Sequence, residues 1–220
     1  MEATQTEDKD WINNWKEYFH QFYVDDILIT PSWEPVKSKD QGKLLIQIDP
    51  GTAFGTGMHE TTQLCIRQIR KYVTEETVLL DVGTGSGILS IAALKLGAKR
   101  ALGTDLDPCA ISASKENMEV NGIPSEKFQV LEGNIIDNRK IQEQAGCEQY
   151  DMVTANILAE VLVPLTPVIV QHLKKGGIYI TSGIIEEKET VVKDAVQAAG
   201  LEVLEVTHQG DWVSVTARKN

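Results

Sequence analysis

Short apolar runs alternate along the chain with longer stretches whose apolar positions recur every three or four residues, which predicts strands and helices in turn. Downstream of residue 76 the expected order is a strand from Thr77 to Val82, a helix from Ser86 to Leu96, a strand from Arg100 to Asp105, a helix from Cys109 to Asn121, and strands from Phe128 to Glu132 and Tyr150 to Ala155. A helix from Ala159 to Leu173, a strand from Gly177 to Ser182, a helix from Glu187 to Ala199, and strands from Leu201 to Thr207 and Trp212 to Arg218 follow. Ahead of these lie a helix from about Asp8 to Phe19, strands from Ile27 to Thr30 and Leu44 to Ile48, and a helix from His59 to Tyr72. Such alternation closes through crossovers that lay helices on both faces of a mainly parallel sheet, so the expected class is α/β. The last two strands flank Gln209 and Gly210 and read as a hairpin, which adds an antiparallel strand. In the first helix Trp11, Trp15 and Phe19 recur every fourth residue and form one face, expected to pack on the core.

One segment holds more than packing information. The apolar strand ending Leu79, Leu80, Asp81, Val82 runs straight into Gly83, Thr84, Gly85, Ser86 and Gly87 before a helix. Glycines at alternate positions let the backbone turn sharply and approach a ligand closely, while the unpaired N–H groups of the helix start face it. The next strand ends in Asp105, 22 residues beyond Gly83, where a carboxylate can accept hydrogen bonds from the two hydroxyls of a ribose. A dinucleotide fingerprint needs Gly-x-Gly-x-x-Gly, yet the sixth position is Ile88 counted from Gly83 and Ser90 counted from Gly85. The spacing therefore favours another nucleotide cofactor, with a nicotinamide enzyme or a purely structural glycine turn as the alternatives.

Composition narrows the class. The 42% apolar content and 220 residues suit one domain with a sizeable core and a lead-in segment. No apolar run approaches the roughly 20 residues that span a bilayer, and Met1 to Asp10 are polar and acidic, so neither a membrane span nor a signal peptide is expected. Cys65, Cys109 and Cys147 are three in number and scattered, which predicts reduced thiols in a cytoplasmic protein and no metal. A formal charge of −11 argues against a nucleic-acid surface and suits a basic protein partner, although many acidic proteins are acidic only for solubility.

The Asp-x-Gly-x-Gly-x-Gly loop resembles that of Rossmann-like S-adenosyl-L-methionine-dependent methyltransferases. Four motifs sharpen the likeness to PrmA, the bacterial methyltransferase family of large-subunit ribosomal protein eleven. These are Asp49 to Thr62, Gly83 to Ala98, Asp105 to Pro108, and Ala155, Asn156, Ile157, Leu158, Ala159, with further likeness at Glu7 to Trp15 and Pro31 to Trp33. Met58 and Glu60 depart from the family, which usually has Thr and Pro there, and this bears on the conformation of that loop. The resemblance implies a class I fold, a mainly parallel seven-stranded sheet with an antiparallel strand and helices on both faces. It divides the chain into a linker helix with lead-in strands over 1–48 and a catalytic domain over 49–220. PrmA proteins also carry a small N-terminal recognition domain, and since this chain starts at what resembles the linker, that domain is expected to be missing.

The resemblance further implies that ligands sit at the carboxyl ends of the strands. Gly83, Gly85 and Gly87 would line the methionine moiety and ribose, Asp81 would meet the ammonium group directly or through water, and Asp105 would hold the ribose hydroxyls. Leu106 would pack on adenine, Asn134 would meet its edge or serve only as a turn residue, and Thr62 would contact the cofactor through its hydroxyl. Asn156 stands where amino-methylating relatives carry Asn-Pro-Pro-Tyr and would aim the target nitrogen, or else cap the following helix. With Ile157 and Leu158 in place of the prolines and no Tyr, an aliphatic amine suits better than a planar amide. The reaction would be direct displacement by a deprotonated amine, driven by alignment and electrostatics. His59 is the nearest candidate base, with ordering of its loop as the weightier alternative; Phe54 to Gly57 would form a flap, and Trp212 would border the substrate entrance or pack in the core. The implied activity is N-methylation of lysine and possibly N-terminal amines of a ribosomal protein by a cytoplasmic monomer. The alternatives are a cofactor-binding fragment inactive without its recognition domain, or a methyltransferase of another protein or a small molecule.

Overall fold

The structure, a computed structural model, describes residues 20–49 and 58–220. The helix expected over Asp8 to Phe19 and the flap expected over Phe54 to Gly57 lie outside these residues. The described chain opens with three short strands, β1 (Phe22–Val24), β2 (Ile27–Thr30) and β3 (Leu45–Gln47), in a small sheet of order β1-β2-β3. Helix α1 (Glu60–Tyr72) leads into the main sheet. There β4 (Val78–Val82), α2 (Ile88–Lys95), β5 (Arg100–Asp105), α3 (Pro108–Val120) and β6 (Phe128–Glu132) alternate. They are followed by α4 (Arg139–Ala145), β7 (Tyr150–Asn156), α5 (Ala159–His172), β8 (Leu173–Ile185), α6 (Glu189–Ala198), β9 (Leu201–Gln209) and β10 (Trp212–Lys219).

The seven strands stand in the order β6-β5-β4-β7-β8-β10-β9. Pairings among β4 to β8 are parallel, and β10 is inserted antiparallel to both β8 and β9. Strand β4 is buried along its whole length, and its alternation sorts the two faces. Val78, Leu80 and Val82 join the core beneath α5 and α6, whereas Leu79 joins the core beneath α1 and α2. Val24, Ile27, Ile29, Ile46 and Ile48 belong to this second core, so the described lead-in strands pack against the main body.

Three differences from the expected elements have local causes. Helix α2 begins at Ile88 and not at Ser86, because Gly87 sits at φ +81° and acts as its N-cap. Strand β8 starts at Leu173, directly after α5, because a register irregularity between Tyr150 and Met152 absorbs the turn-forming Lys174 to Gly177 that had read as a break. Strand β1 and helix α4 went unread because three and seven residues are too short for a period to show.

Candidate functional site

From β4 the chain moves outward through β5 to β6, then returns to add β7 and β8 on the other side, so the sheet reverses its order between β4 and β7. Open α/β sheets form a crevice at the carboxyl ends of such strands. A cavity of about 650 Å³ lies there. Of the expected site residues, His59, Gly83, Gly85, Asp105, Leu106, Asn134 and Asn156 line it, whereas Thr62, Asp81 and Gly87 do not.

The loop after β4 is tied to β5 by the Thr104 carbonyl, which accepts the N–H groups of Gly83 at 2.8 Å and Thr84 at 3.1 Å. Gly83 has φ +70°, and a Cβ there would stand 2.6 Å from Ile157 Cγ2. Only glycine lets the backbone pass so close to the loop after β7. Gly87 instead backs onto Ser114 and Phe128, on the side of the loop away from the cavity.

Asp105 ends β5 with its carboxylate at the cavity wall. Oδ2 accepts the Gly85 N–H at 2.9 Å and Oδ1 accepts the Asp107 N–H at 3.0 Å. An ionised carboxylate offers about four acceptor sites, so about two remain for a ligand. Asp105 is the one carboxylate on a wall that is otherwise mostly apolar among the described residues. Leu106, next in sequence, is 66% exposed at the rim, a position that suits a flat apolar group. Asn134 lines the wall, but its side-chain oxygen already accepts the Ile136 N–H at 2.9 Å. That is an Asx turn, and it leaves the amide N–H groups as the part able to meet a ligand.

Asp81 lies deeper than the sequence reading placed it. Alternation turns it toward α1 and α2, opposite Thr154 of β7, and it is fully buried. Its Oδ2 accepts the hydroxyls of Thr84 at 2.8 Å and Ser90 at 2.9 Å, and Oδ1 accepts that of Thr154 at 2.8 Å. Burial pushes its carboxyl upward, against the pull of these three donors. Asp81 thus holds the loop (Thr84), the helix start (Ser90) and the neighbouring strand (Thr154) together from behind the cavity wall.

Asn156 ends β7 on the same face as Met152 and Thr154, because side chains alternate. That face meets α1, where the buried Thr62 hydroxyl accepts from Asn156 Nδ2 at 3.1 Å. Its nitrogen is held there, and Asn156 lines the cavity. The Thr62 hydroxyl thus holds Asn156 by accepting from it, and Thr62 itself lies behind the cavity wall. Capping does not occupy Asn156: Leu158 takes the N-cap position of α5.

His59 is the N-cap of α1. Its Nδ1 accepts the Thr61 N–H at 3.3 Å and lies 2.9 Å from Thr61 Oγ1, while its ring meets Trp212 edge-on at 4.7 Å. Trp212 also lines the cavity. Sequence reasoning missed Gly183, which lies near the end of β8 at φ +83° with space for a Cβ closed by the Ile157 carbonyl oxygen at 2.5 Å. Its signal was available: a glycine directly after a predicted strand, opposite the loop that begins at Asn156. Cys65, Cys109 and Cys147 are free thiols, and burial drives the Cys65 thiol far upward, so it stays protonated and inert.

The wall thus combines the Asp105 carboxylate, the apolar Leu106 and the Asn156 carboxamide. Known proteins share both sequence and fold. The profile of the family described as "Ribosomal protein L11 methyltransferase (PrmA)" matches residues 1–220. A protein of that name from Agathobacter rectalis is 54% identical over 222 residues, which cover 100% of this chain and 69% of the relative. The crystal structure of a ribosomal protein L11 methylase from Lactobacillus delbrueckii subsp. bulgaricus superimposes with a TM-score of 0.80 at 34% identity, covering 92% of this chain and 100% of that one. The [4+2]-cyclase SpnF also superimposes, with a TM-score of 0.57 at 13% identity over 70% of this chain and 79% of its own. The fold alone therefore assigns no reaction.

Proposed function

The chain belongs to the ribosomal protein L11 methyltransferase (PrmA) family, and from that premise we propose that it is an S-adenosyl-L-methionine-dependent N-methyltransferase of amines on the ribosomal protein L11. The observation that carries the reading is that Asp105 and Asn156 line one cavity at the carboxyl ends of the strands. When bound, the cofactor supplies an electrophilic methyl on a sulfonium sulfur. Its requirements fit the residues present: a close backbone approach at Gly83 and Gly85, acceptors at Asp105 for a ribose diol, and apolar surface at Leu106 for adenine.

The chain's own groups act by binding and aiming. Asp105 anchors the diol while one carboxylate oxygen fixes the glycine loop through the Gly85 N–H and the other holds the turn into α3 through the Asp107 N–H. Asn156 Oδ1 accepts an N–H from the incoming amine, which turns the nitrogen lone pair toward the methyl, and Thr62 keeps the carboxamide in that sense. A lysine must arrive neutral, and the largely apolar wall lowers its pKa from about 10.4 by penalising the ammonium form. His59, with Nδ1 engaged at the start of α1, serves to order that helix, not to move a proton. We take residues 49–220 as the catalytic unit and 1–48 as its lead-in. An acidic chain of net charge −11 suits a basic substrate and not a nucleic acid, a ribosomal substrate puts the enzyme in the cytoplasm, and we take it to act as a monomer. Among the described residues no helix is long and apolar enough to cross a membrane.

Calorimetric titration with S-adenosyl-L-methionine and with NADH, followed by methyl transfer to purified L11, tests the proposal. Binding of the first alone with transfer is the expected result. Binding without transfer would move the substrate elsewhere or make it depend on the remainder of the longer relatives, of whose length this chain matches 69% in the Agathobacter protein. No binding would overturn the reading.

A further inference from the structure

Helix α3 and its C-cap hold two buried asparagines one turn apart, Asn117 and Asn121, on the face toward β3. Strand β3 pairs with β2 on one edge only, which leaves a free edge of backbone groups. The asparagines complete that edge as a neighbouring strand would. Asn121 Oδ1 accepts the Gln47 N–H at 2.9 Å and its Nδ2 donates to the Gln47 carbonyl at 2.6 Å. Two residues on, Asn117 Oδ1 accepts the Asp49 N–H at 2.8 Å and its Nδ2 donates to the Asp49 carbonyl at 3.3 Å. Asn121 also braces its partner by donating to the Asn117 carbonyl at 2.7 Å.

The two differ in one contact. Asn117 Nδ2 also donates, at 2.9 Å, to the carbonyl of Ser86, between Gly85 and Gly87. A single side chain thus fixes the end of the lead-in segment and the middle of the glycine loop. We propose that Asn117 is a positioning residue for the cofactor loop, coupling the placement of Asp49 to that of Ser86, and through Ser86 to the Gly85 N–H that bonds Asp105. This rests on the reading of the glycine loop as the cofactor's cradle. The physical ground is placement: the Ser86 carbonyl lies in the loop bridging β4 and α2, and a fully buried carboxamide donates to it.

The test compares Asn117→Ser with Asn121→Ser, which loses contacts to the same strand but none to the loop. S-adenosyl-L-methionine affinity is read by calorimetry, and backbone exchange over residues 45–49 and 83–87 by hydrogen–deuterium exchange. Both variants should speed exchange over 45–49. Only Asn117→Ser should also speed it over 83–87 and weaken cofactor binding about tenfold, the equivalent of one hydrogen bond. Asn117→Asp gives a further arm, since it keeps the acceptor for the Asp49 N–H and loses the donor shared by the Asp49 and Ser86 carbonyls; weakened binding and faster exchange over 83–87 are expected while the Asp49 N–H stays protected. Parent-like affinity in the Asn117 variants, or equal weakening by Asn121→Ser, overturns the coupling while leaving the parent's binding intact. Failure of the parent itself to bind overturns both the coupling and the reading beneath it.

Discussion

Replacing Asp105 with alanine removes a carboxylate that does two jobs at once, and the structure allows the loss to be sized. Two of its acceptor sites are filled by the N–H groups of Gly85 and Asp107, at 2.9 and 3.0 Å. About two remain, matched to the two hydroxyls of a ribose. A hydrogen bond to an ionised group contributes about 1.5–3 kcal/mol net in protected sites, and water reaches this rim, so the lower end applies to each. The expected loss is about 2–3 kcal/mol of cofactor affinity, or roughly a thirty- to 150-fold rise in Kd. Asp105→Asn keeps one acceptor oxygen but sets an amide nitrogen against a backbone donor, and should fall between the parent and Asp105→Ala. Calorimetry with S-adenosyl-L-methionine and with its demethylated product measures the effect, and thermal melts check that the fold persists. Because both N–H groups can turn to water once the carboxylate is gone, the melting temperature should drop only slightly. A Kd within about threefold of the parent for Asp105→Ala would refute the diol contact, since this estimate leaves at least a thirtyfold effect.

Asn156→Ala should abolish most turnover on L11 while changing cofactor affinity far less, and Thr62→Val should reproduce much of the kcat loss, with Thr62→Ser restoring it; turnover unaffected by Thr62→Val would remove the orienting hydrogen bond from the mechanism. Gly183→Ala forces a Cβ to within 2.5 Å of the Ile157 carbonyl oxygen at φ +83°, and should cost about 3 kcal/mol in a urea titration. His172 is buried, with Nδ1 2.6 Å from the Gly146 carbonyl, and burial depresses its pKa from the ordinary 6.5. A depressed folded-state value means that the fold favours the neutral ring, so stability from this group is complete above about pH 6.5 and declines as pH falls below it. Urea midpoints measured from pH 8 down to 5 should show that decline, and His172→Gln should flatten it.

The parallel sheet was legible because its strands are continuous apolar runs separated by amphipathic helices, and the cofactor crevice because the glycine loop and Asp105 recur at fixed distance. The partnerships behind the crevice were not legible. Thr62 and Asn156 are 94 residues apart, and Asn117 and Asp49 are 68 apart, so only the packing of α1 and α3 onto the strands brings them together. Nor does sequence show which atoms of a short polar side chain the fold engages: Thr62 accepts from Asn156, and the Asn134 oxygen accepts from Ile136 while its amide N–H groups stay able to meet a ligand.

Asp81 shows what strand alternation says about depth, and it yields a sharper test. Paired residues lie level across a parallel sheet, and Asp81 pairs with Thr154, two residues before Asn156. At about 3.3 Å per residue, Asp81 sits roughly 7 Å below the level at which Asn156 reaches the cavity. Distance along the sequence from Gly83 hides this depth, because the chain rises steeply through Val82 before it turns. A carboxylate at that depth with three hydroxyl donors is a fastening, and its loss should be read in stability before affinity. Asp81→Asn substitutes donors for an acceptor among Thr84, Ser90 and Thr154. Misplacing even one buried polar group costs about 1–3 kcal/mol, so a drop of that order in unfolding free energy is expected, with a smaller change in cofactor Kd than Asp105→Ala produces. The two variants should therefore cross, Asp81→Asn being worse in stability and Asp105→Ala worse in binding. If Asp81→Asn melted like the parent and bound cofactor as poorly as Asp105→Ala, Asp81 would belong at the ligand after all.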